Sequence, residues 1–155
     1  LQAIGTIHSP YTRIENMPIQ PRGARDVEGS VHVREEYAAG LRDLDGFSHI
    51  YLLYHFHKAG EPKLTVVPFL DTTPRGVFAT RSPLRPNPIG LSIVEVVRID
   101  GATIAVRGVD ILDGTPLLDI KPYIPAFDAV ENAASGWMTA RPEDVEKTRS
   151  DDRFR

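Results

Sequence analysis

The chain has 155 residues, 41% of them hydrophobic and 25% charged, with no cysteine and a formal net charge of -3. That length suits one domain able to bury a core without cross-links, and the composition excludes fibrous and wholly disordered architectures. The lack of cysteine removes disulfides, thiolate nucleophiles and Cys-ligated zinc, and the mild acidity means that a nucleic-acid partner has to be met by local arginine clusters, not by a positive field over the whole surface.

Thirteen prolines and twelve glycines punctuate short apolar runs, a pattern that suits many short strands better than long helices. The expected fold is therefore mainly β, a single domain with one or two short helices. No apolar stretch approaches the ~20 residues of a membrane-spanning helix. The opening LQAIGTIHSP lacks the charged region and apolar core of a signal peptide, so a cytoplasmic protein without a membrane partner is expected.

In chain order, a first strand is expected over 4–8. It is followed by MPIQPRGARD (17–26), a Pro-rich polar segment carrying Gln20, Arg22 and Arg25, and then by a strand over 30–34. The one plausible helix covers 35–44, with acidic residues in its first turn and Tyr37, Leu41 and Leu44 on one face. FSHIYLLYHFH (47–57) reads as a strand with Ile50, Leu52, Tyr54 and Phe56 on one side and His49, Tyr51, Leu53, His55 and His57 on the other. His55 and His57 could share a metal, but no third ligand stands at a suitable spacing, so no metal is expected.

Short strands over 64–69 and 77–80 lead into TRSPLRPNPIG (80–90). Three prolines here fix φ and restrict the residues before them, so little conformational entropy is left to lose on binding. Arg81, Ser82, Arg85 and Asn87 add polar groups able to grip a carboxylate, a phosphate or a base edge. This loop is the expected functional centre.

LSIVEVVRIDGATIAVRGV (91–109) contains two β-branched runs joined at Asp100-Gly101, a hairpin with a type I′ turn signal. Its strands are apolar on both faces, which calls for cover on each side, from a closed barrel or from a dimer interface. DILDGTPLLDIKPY (110–123) has a turn at Asp113-Gly114 and a strand over 117–123 with Asp119, Lys121 and Tyr123 alternating onto one face. From Ala134 the chain turns charged and weakly periodic. The domain is accordingly expected over 1–130, with a tail over 131–155 that is partly ordered or docked on a partner subunit, Trp137 favouring docking. There is no Walker A loop, GxSxG elbow or GxGxxG fingerprint.

Taken together, GTIHSPYT, PIQPRG, DGFSHIYLLYHFH, GVFATRSPLRPNPIGLSIVEV and DILDGTPLLDIKPYIP resemble the TrmO (TsaA/YaeB-like) tRNA methyltransferases over residues 4–127. The resemblance implies a small antiparallel β-barrel, a homodimer, S-adenosylmethionine as cofactor, and methylation of N6 of threonylcarbamoyladenosine beside the anticodon of tRNA. It assigns Pro18, Ile19, Gln20, His57, Lys58, Arg81, Leu91, Asp113, Gly114, Thr115 and Pro116 to the cofactor. Lys58 stands where bacterial relatives often carry Gln, and longer relatives have a further C-terminal domain whose RNA affinity would have to come from elsewhere.

The acceptor nitrogen is a poor nucleophile because a carbonyl delocalises its lone pair, so a general base is chemically desirable. Asp113 and Tyr123 are the catalytic candidates, with Asp119 and His57 also in reach of the expected pocket and Asp113 favoured. Arg22, Arg85 and Asn87 are assigned to the RNA acceptor, since an arginine fork suits the threonyl carboxylate. Tyr51, Phe78 or Tyr123 could stack a flipped base. The alternatives are a methyltransferase of the same fold acting on a small metabolite, and a dimeric module that binds S-adenosylmethionine without turnover.

Overall fold

The computed structural model describes residues 1–15, 17–19, 24–139, 143 and 147–151. Its strands in chain order are β1 (Gly5–His8), β2 (Glu28–Val33), β3 (His49–His55), β4 (Thr65–Val66), β5 (Arg75–Gly76), β6 (Ile89–Asp100), β7 (Thr103–Arg107) and β8 (Thr115–Pro122). Six of them close an antiparallel barrel in the order β1-β2-β7-β6-β3-β8, while β4 and β5 pair separately.

Alternation explains the barrel's interior. Along β3, Ile50, Leu52 and Tyr54 are buried and the residues between them are not, and the first half of β6 buries Gly90, Ser92 and Val94 in the same rhythm. Ile7, Val31, Ile104, Val106 and Leu117 fill the space between strands with no exposed area. Two register shifts, at Leu53/Tyr54 between β3 and β8 and at Val96/Arg98 between β6 and β7, insert one extra residue into a strand. Such bulges bend and twist a strand, which closure of so small a sheet requires. The seam is β1, only four residues long, which pairs with β2 on one side and β8 on the other.

Three local expectations come out differently. The segment expected as a helix over 35–44 forms a 3₁₀ helix, Glu35–Leu41, ended before Asp43 with its φ of 69° and followed by a second 3₁₀ turn, Leu44–Gly46. Tyr37, Leu41 and Leu44 still pack on the core, so the apolar face is kept while the helix is tighter. Residues 77–80 are not a strand but the 3₁₀ turn Val77–Ala79, because Thr80 folds back to donate through both its backbone N–H and its hydroxyl to the Val77 carbonyl, at 3.1 and 2.8 Å. In the β6–β7 hairpin Asp100 pairs with Thr103, so the loop is Gly101-Ala102. Positive φ, 60°, falls on its first residue, the pattern of a II′ turn one residue later than the sequence suggested.

Outside the barrel, Val66, Val77 and Leu84 form a second small core with Phe69 packed against it. This satellite cluster anchors the segment between β3 and β6. Among the described residues no helix is long and apolar enough to cross a membrane.

Candidate functional site

The loop over 80–90 is held by its own polar side chains. Thr80 and Ser82 are buried, and their hydroxyls accept the backbone N–H groups of Ser82 and Leu84, each at 3.2 Å. The Leu84 side chain plugs into the satellite core. Arg85 donates through Nη1 to the carbonyls of Thr80 (2.8 Å) and Ser82 (3.1 Å), so it braces the loop while lining the space beside it. Pro88 accepts the Phe56 N–H at 2.8 Å and joins the loop to the exit of β3. These bonds, with the prolines, make a stiff wall.

That wall bounds a cleft of about 850 Å³, inside the size range of small-molecule sites. Separated stretches contribute, among them Pro18 and Ile19 after β1, His57 and Lys58 after β3, Arg81 and Leu91 around the loop, Asp110, Ile111 and Leu112 between β7 and β8 with Thr115 at the start of β8, and Trp137 near the end. Burial, with the Lys58 charge beside it, lowers the His57 imidazole below its usual range, so the ring is neutral at physiological pH.

The turn between β7 and β8 is tied to the start of the barrel. Asp113 N–H donates to the Tyr11 carbonyl at 2.7 Å and Gly114 N–H to the Ile7 carbonyl at 2.9 Å, and the Ser9 hydroxyl donates to the Ile111 carbonyl. Gly114 takes a φ of 80°, which favours glycine at that position.

The last described residues fold back onto the cleft. Trp137 donates through Nε1 to the Ala79 carbonyl at 2.7 Å. Its ring lies 5.6 Å from the Arg75 guanidinium, itself bonded to Asp71 at 2.7 Å. Ser150 clasps the stretch after β1: its N–H donates to Met17 O at 2.7 Å, its hydroxyl accepts the Met17 N–H at 2.9 Å and donates to the Ile14 carbonyl. Trp137 and Ser150 thus tie described residues near the end to the chain's own cleft, whose lining both join.

The residues expected at the site divide as follows. Pro18, Ile19, His57, Lys58, Arg81, Leu91, Thr115 and Arg85 line the cleft, whereas Asp113, Gly114, Pro116, Asn87 and Tyr123 do not. Gln20 and Arg22 lie outside the described residues. Asp113 accepts the Ser9 N–H at 3.0 Å and meets His8 Nδ1 at 3.1 Å. These bonds, that of Ser9 above all, hold its carboxyl below the usual carboxylate range. Tyr123 packs edge-on against Tyr51, with ring centres 5.7 Å apart, and against His49. Asn87 is exposed, its carbonyl accepting the Ile89 N–H at 2.8 Å.

Of the three aromatics considered for stacking, Phe78 alone lines the cleft. It is 74% exposed, with the Arg85 guanidinium 5.9 Å from its ring centre.

The cleft also holds a polar set that sequence reasoning missed. Tyr54 Oη lies 2.9 Å from Ser92 Oγ, which donates to Asp110 Oδ1 at 2.7 Å. Burial pushes the Tyr54 phenol far up and the Asp110 carboxyl up to about 6, the latter against the lowering effects of the Ser92 bond and the Arg81 charge. A signal was present in the sequence: Tyr54 and Ser92 share the alternation phase of Ile50, Leu52 and Val94, and polar groups on a core-facing phase need partners.

The family described as the tRNA-methyltransferase O N-terminal domain matches residues 6–129. A probable S-adenosyl-L-methionine-binding protein of Pyrococcus abyssi is 52% identical over 151 residues, covering 97% of this chain and 82% of that protein. A tRNA (adenine(37)-N6)-methyltransferase of Escherichia coli is 35% identical, covering 91% of this chain and 64% of that enzyme. The crystal structure of TrmO from Pseudomonas aeruginosa superposes with a TM-score of 0.74 at 36% identity, over 88% of this chain and 61% of that one.

Proposed function

The chain belongs to the tRNA-methyltransferase O family, whose members are S-adenosylmethionine-dependent tRNA methyltransferases. On that premise we propose that it methylates N6 of threonylcarbamoyladenosine beside the anticodon of tRNA. The observation that carries the reading is the convergence of Pro18, Ile19, His57, Lys58, Arg81, Leu91 and Thr115, from distant parts of the chain, on one cleft.

The cleft's chemistry fits the cofactor: Ile14, Met17, Phe56 and Ile111 give apolar walls, and Arg81 offers a guanidinium for a carboxylate. S-adenosylmethionine supplies an electrophilic methyl on a sulfonium, a good leaving group for in-line displacement. The protein's part is to align the two reactants and keep water out, and proximity alone contributes up to ~7 to 11 kcal/mol. The braced loop suits that role, because its geometry is set before anything binds. Arg85, held at the cleft's edge, is the partner for the threonyl carboxylate. Phe78 offers the stacking face for a base turned out of the anticodon loop.

The reading is tested by incubating the protein with labelled S-adenosylmethionine and with tRNA that carries, or lacks, the threonylcarbamoyl group, then identifying the methylated nucleoside by mass spectrometry. Label only in the modified adenosine is expected. Transfer to unmodified tRNA, or cofactor binding without transfer to either RNA, would overturn it. Phe78→Ala is expected to lower kcat/KM for tRNA by roughly 10-fold or more, the size of one lost base stack, with S-adenosylhomocysteine affinity unchanged in calorimetry. An equal loss in both would place Phe78 at the cofactor instead. The family reading also carries a homodimer, for which the outward strip of β6, Leu91, Ile93 and Val97, all at least 36% exposed, is the surface offered. Light scattering that gives a monomer mass would exclude it.

A further inference from the structure

The Tyr54–Ser92–Asp110 chain has a direction. A serine hydroxyl has one proton, and Ser92 gives it to Asp110 Oδ1, so the 2.9 Å contact with Tyr54 is one in which the tyrosine donates. Both donors therefore point toward Asp110, which ends the chain as an acceptor on the cleft wall. Ser92 is 2% exposed and Tyr54 5%, one on β6 and one on β3, so the carboxylate's orientation is set by two adjoining barrel strands. On its other side the chain fixes it through Val109 and Ile111, both buried.

We infer that Asp110 is the group that takes the proton from the acceptor nitrogen during methyl transfer, with Ser92 and Tyr54 as positioning residues. The inference rests on the methyltransferase reading. As the nitrogen–methyl bond forms and the methyl–sulfur bond breaks onto sulfur, the N–H bond breaks with its electron pair left on nitrogen. The proton ends on Asp110 as a neutral acid and passes to water when the product leaves.

Asp110 is better suited to this than Asp113. Its carboxyl titrates at about 6, so it is ionised at neutral pH and is a stronger base than a solvated carboxylate. Asp113 is lowered by the Ser9 and His8 bonds and does not line the cleft. Among the described residues, the charged or titratable groups facing Asp110 are Arg81 from the loop over 80–90, Tyr54 from β3 and Tyr11 from the segment after β1. Arg81 is the cation of that set, and it keeps the carboxyl from rising further.

The test compares wild type with Asp110→Asn, which keeps an oxygen for Ser92. Single-turnover methylation of threonylcarbamoylated tRNA should fall roughly 100-fold, while S-adenosylhomocysteine affinity in calorimetry stays within about twofold. The wild-type rate should drop as pH falls through about 6, and the variant should lack that limb. Ser92→Ala, which removes a donor to the carboxylate, should move the limb to higher pH. Without any ligand, the thermal midpoint of wild type should fall relative to Asp110→Asn as pH rises from about 4 to about 7, because an upward-shifted carboxyl costs stability once it ionises. Asp110→Asn retaining a third of the rate, a flat wild-type profile, or a defect confined to S-adenosylhomocysteine affinity would each overturn the inference, the last by making Asp110 a cofactor ligand. A wild type that methylates no tRNA sinks the methyltransferase reading itself and this inference with it, an outcome distinct from an active wild type matched by its variant.

Discussion

Arg81→Ala is expected to weaken S-adenosylhomocysteine binding by roughly 30- to 100-fold in calorimetry, about what one charge-assisted hydrogen-bonding fork contributes. The guanidinium lines the cleft from a loop that buried hydroxyls and prolines hold still, so a ligand carboxylate meets a donor that needs little reorganisation. A second effect separates Arg81 from a mere binding group. Its positive charge lowers the Asp110 carboxyl, so removing it raises that carboxyl, and the acid limb of the methylation rate should move to higher pH. Unchanged affinity would take Arg81 out of the cofactor site. Unchanged affinity with a displaced limb would leave it as the electrostatic partner of Asp110 alone.

Gly5→Ala is expected to unfold much of the protein. A Cβ at residue 5 would stand 2.2 Å from the His32 carbonyl oxygen and 3.0 Å from Val33 Cα, both backbone atoms that cannot swing aside. Relief requires β1 to part from β2, and β1 is the seam on which closure depends. A loss above about 3 kcal/mol in urea unfolding is expected, in the range reserved for severe core and backbone defects. Gly76→Ala is the control. Its Cβ would meet nothing within 4 Å and its φ is -59°, so a neutral or slightly stabilising change is expected. Equal losses at the two positions would show that the seam is no tighter than a surface turn.

What could be read from sequence follows from how local each signal is. The alternation of residues 49–55, the hairpin between β6 and β7, and the stiffness of the loop over 80–90 depend on neighbours a few positions apart, and all three are present. The 3₁₀ turn at Val77–Ala79 looks like a strand in sequence because its cause, the Thr80 hydroxyl turning back on Val77, competes with extended structure without altering the apolar pattern. That Asp110 and not Asp113 lines the cleft is hidden in the sequence for a different reason. Three residues apart in one connection, the two differ only in what lies across from them: Ser92 on β6 for one, His8 at the end of β1 and Ser9 just after it for the other. That distinction exists only once strand register is known. The cleft's closing contributions from Trp137 and Ser150 carry no periodic signal at all, since each is a single anchoring side chain in a charged stretch.

The pairing of β1 with β8 sets the order in which this molecule can come into being. Gly5 and Leu117 face each other across that seam, so the barrel's earliest strand must wait for its latest before either has both neighbours. Long-range closures of this kind lengthen folding times. Until β8 is made, the β2–β7 and β3–β6 pairs have no closed interior to enclose, and the cleft lacks Thr115. A ligand of the finished cleft should therefore act on the refolding reaction late, slowing unfolding more than it speeds folding.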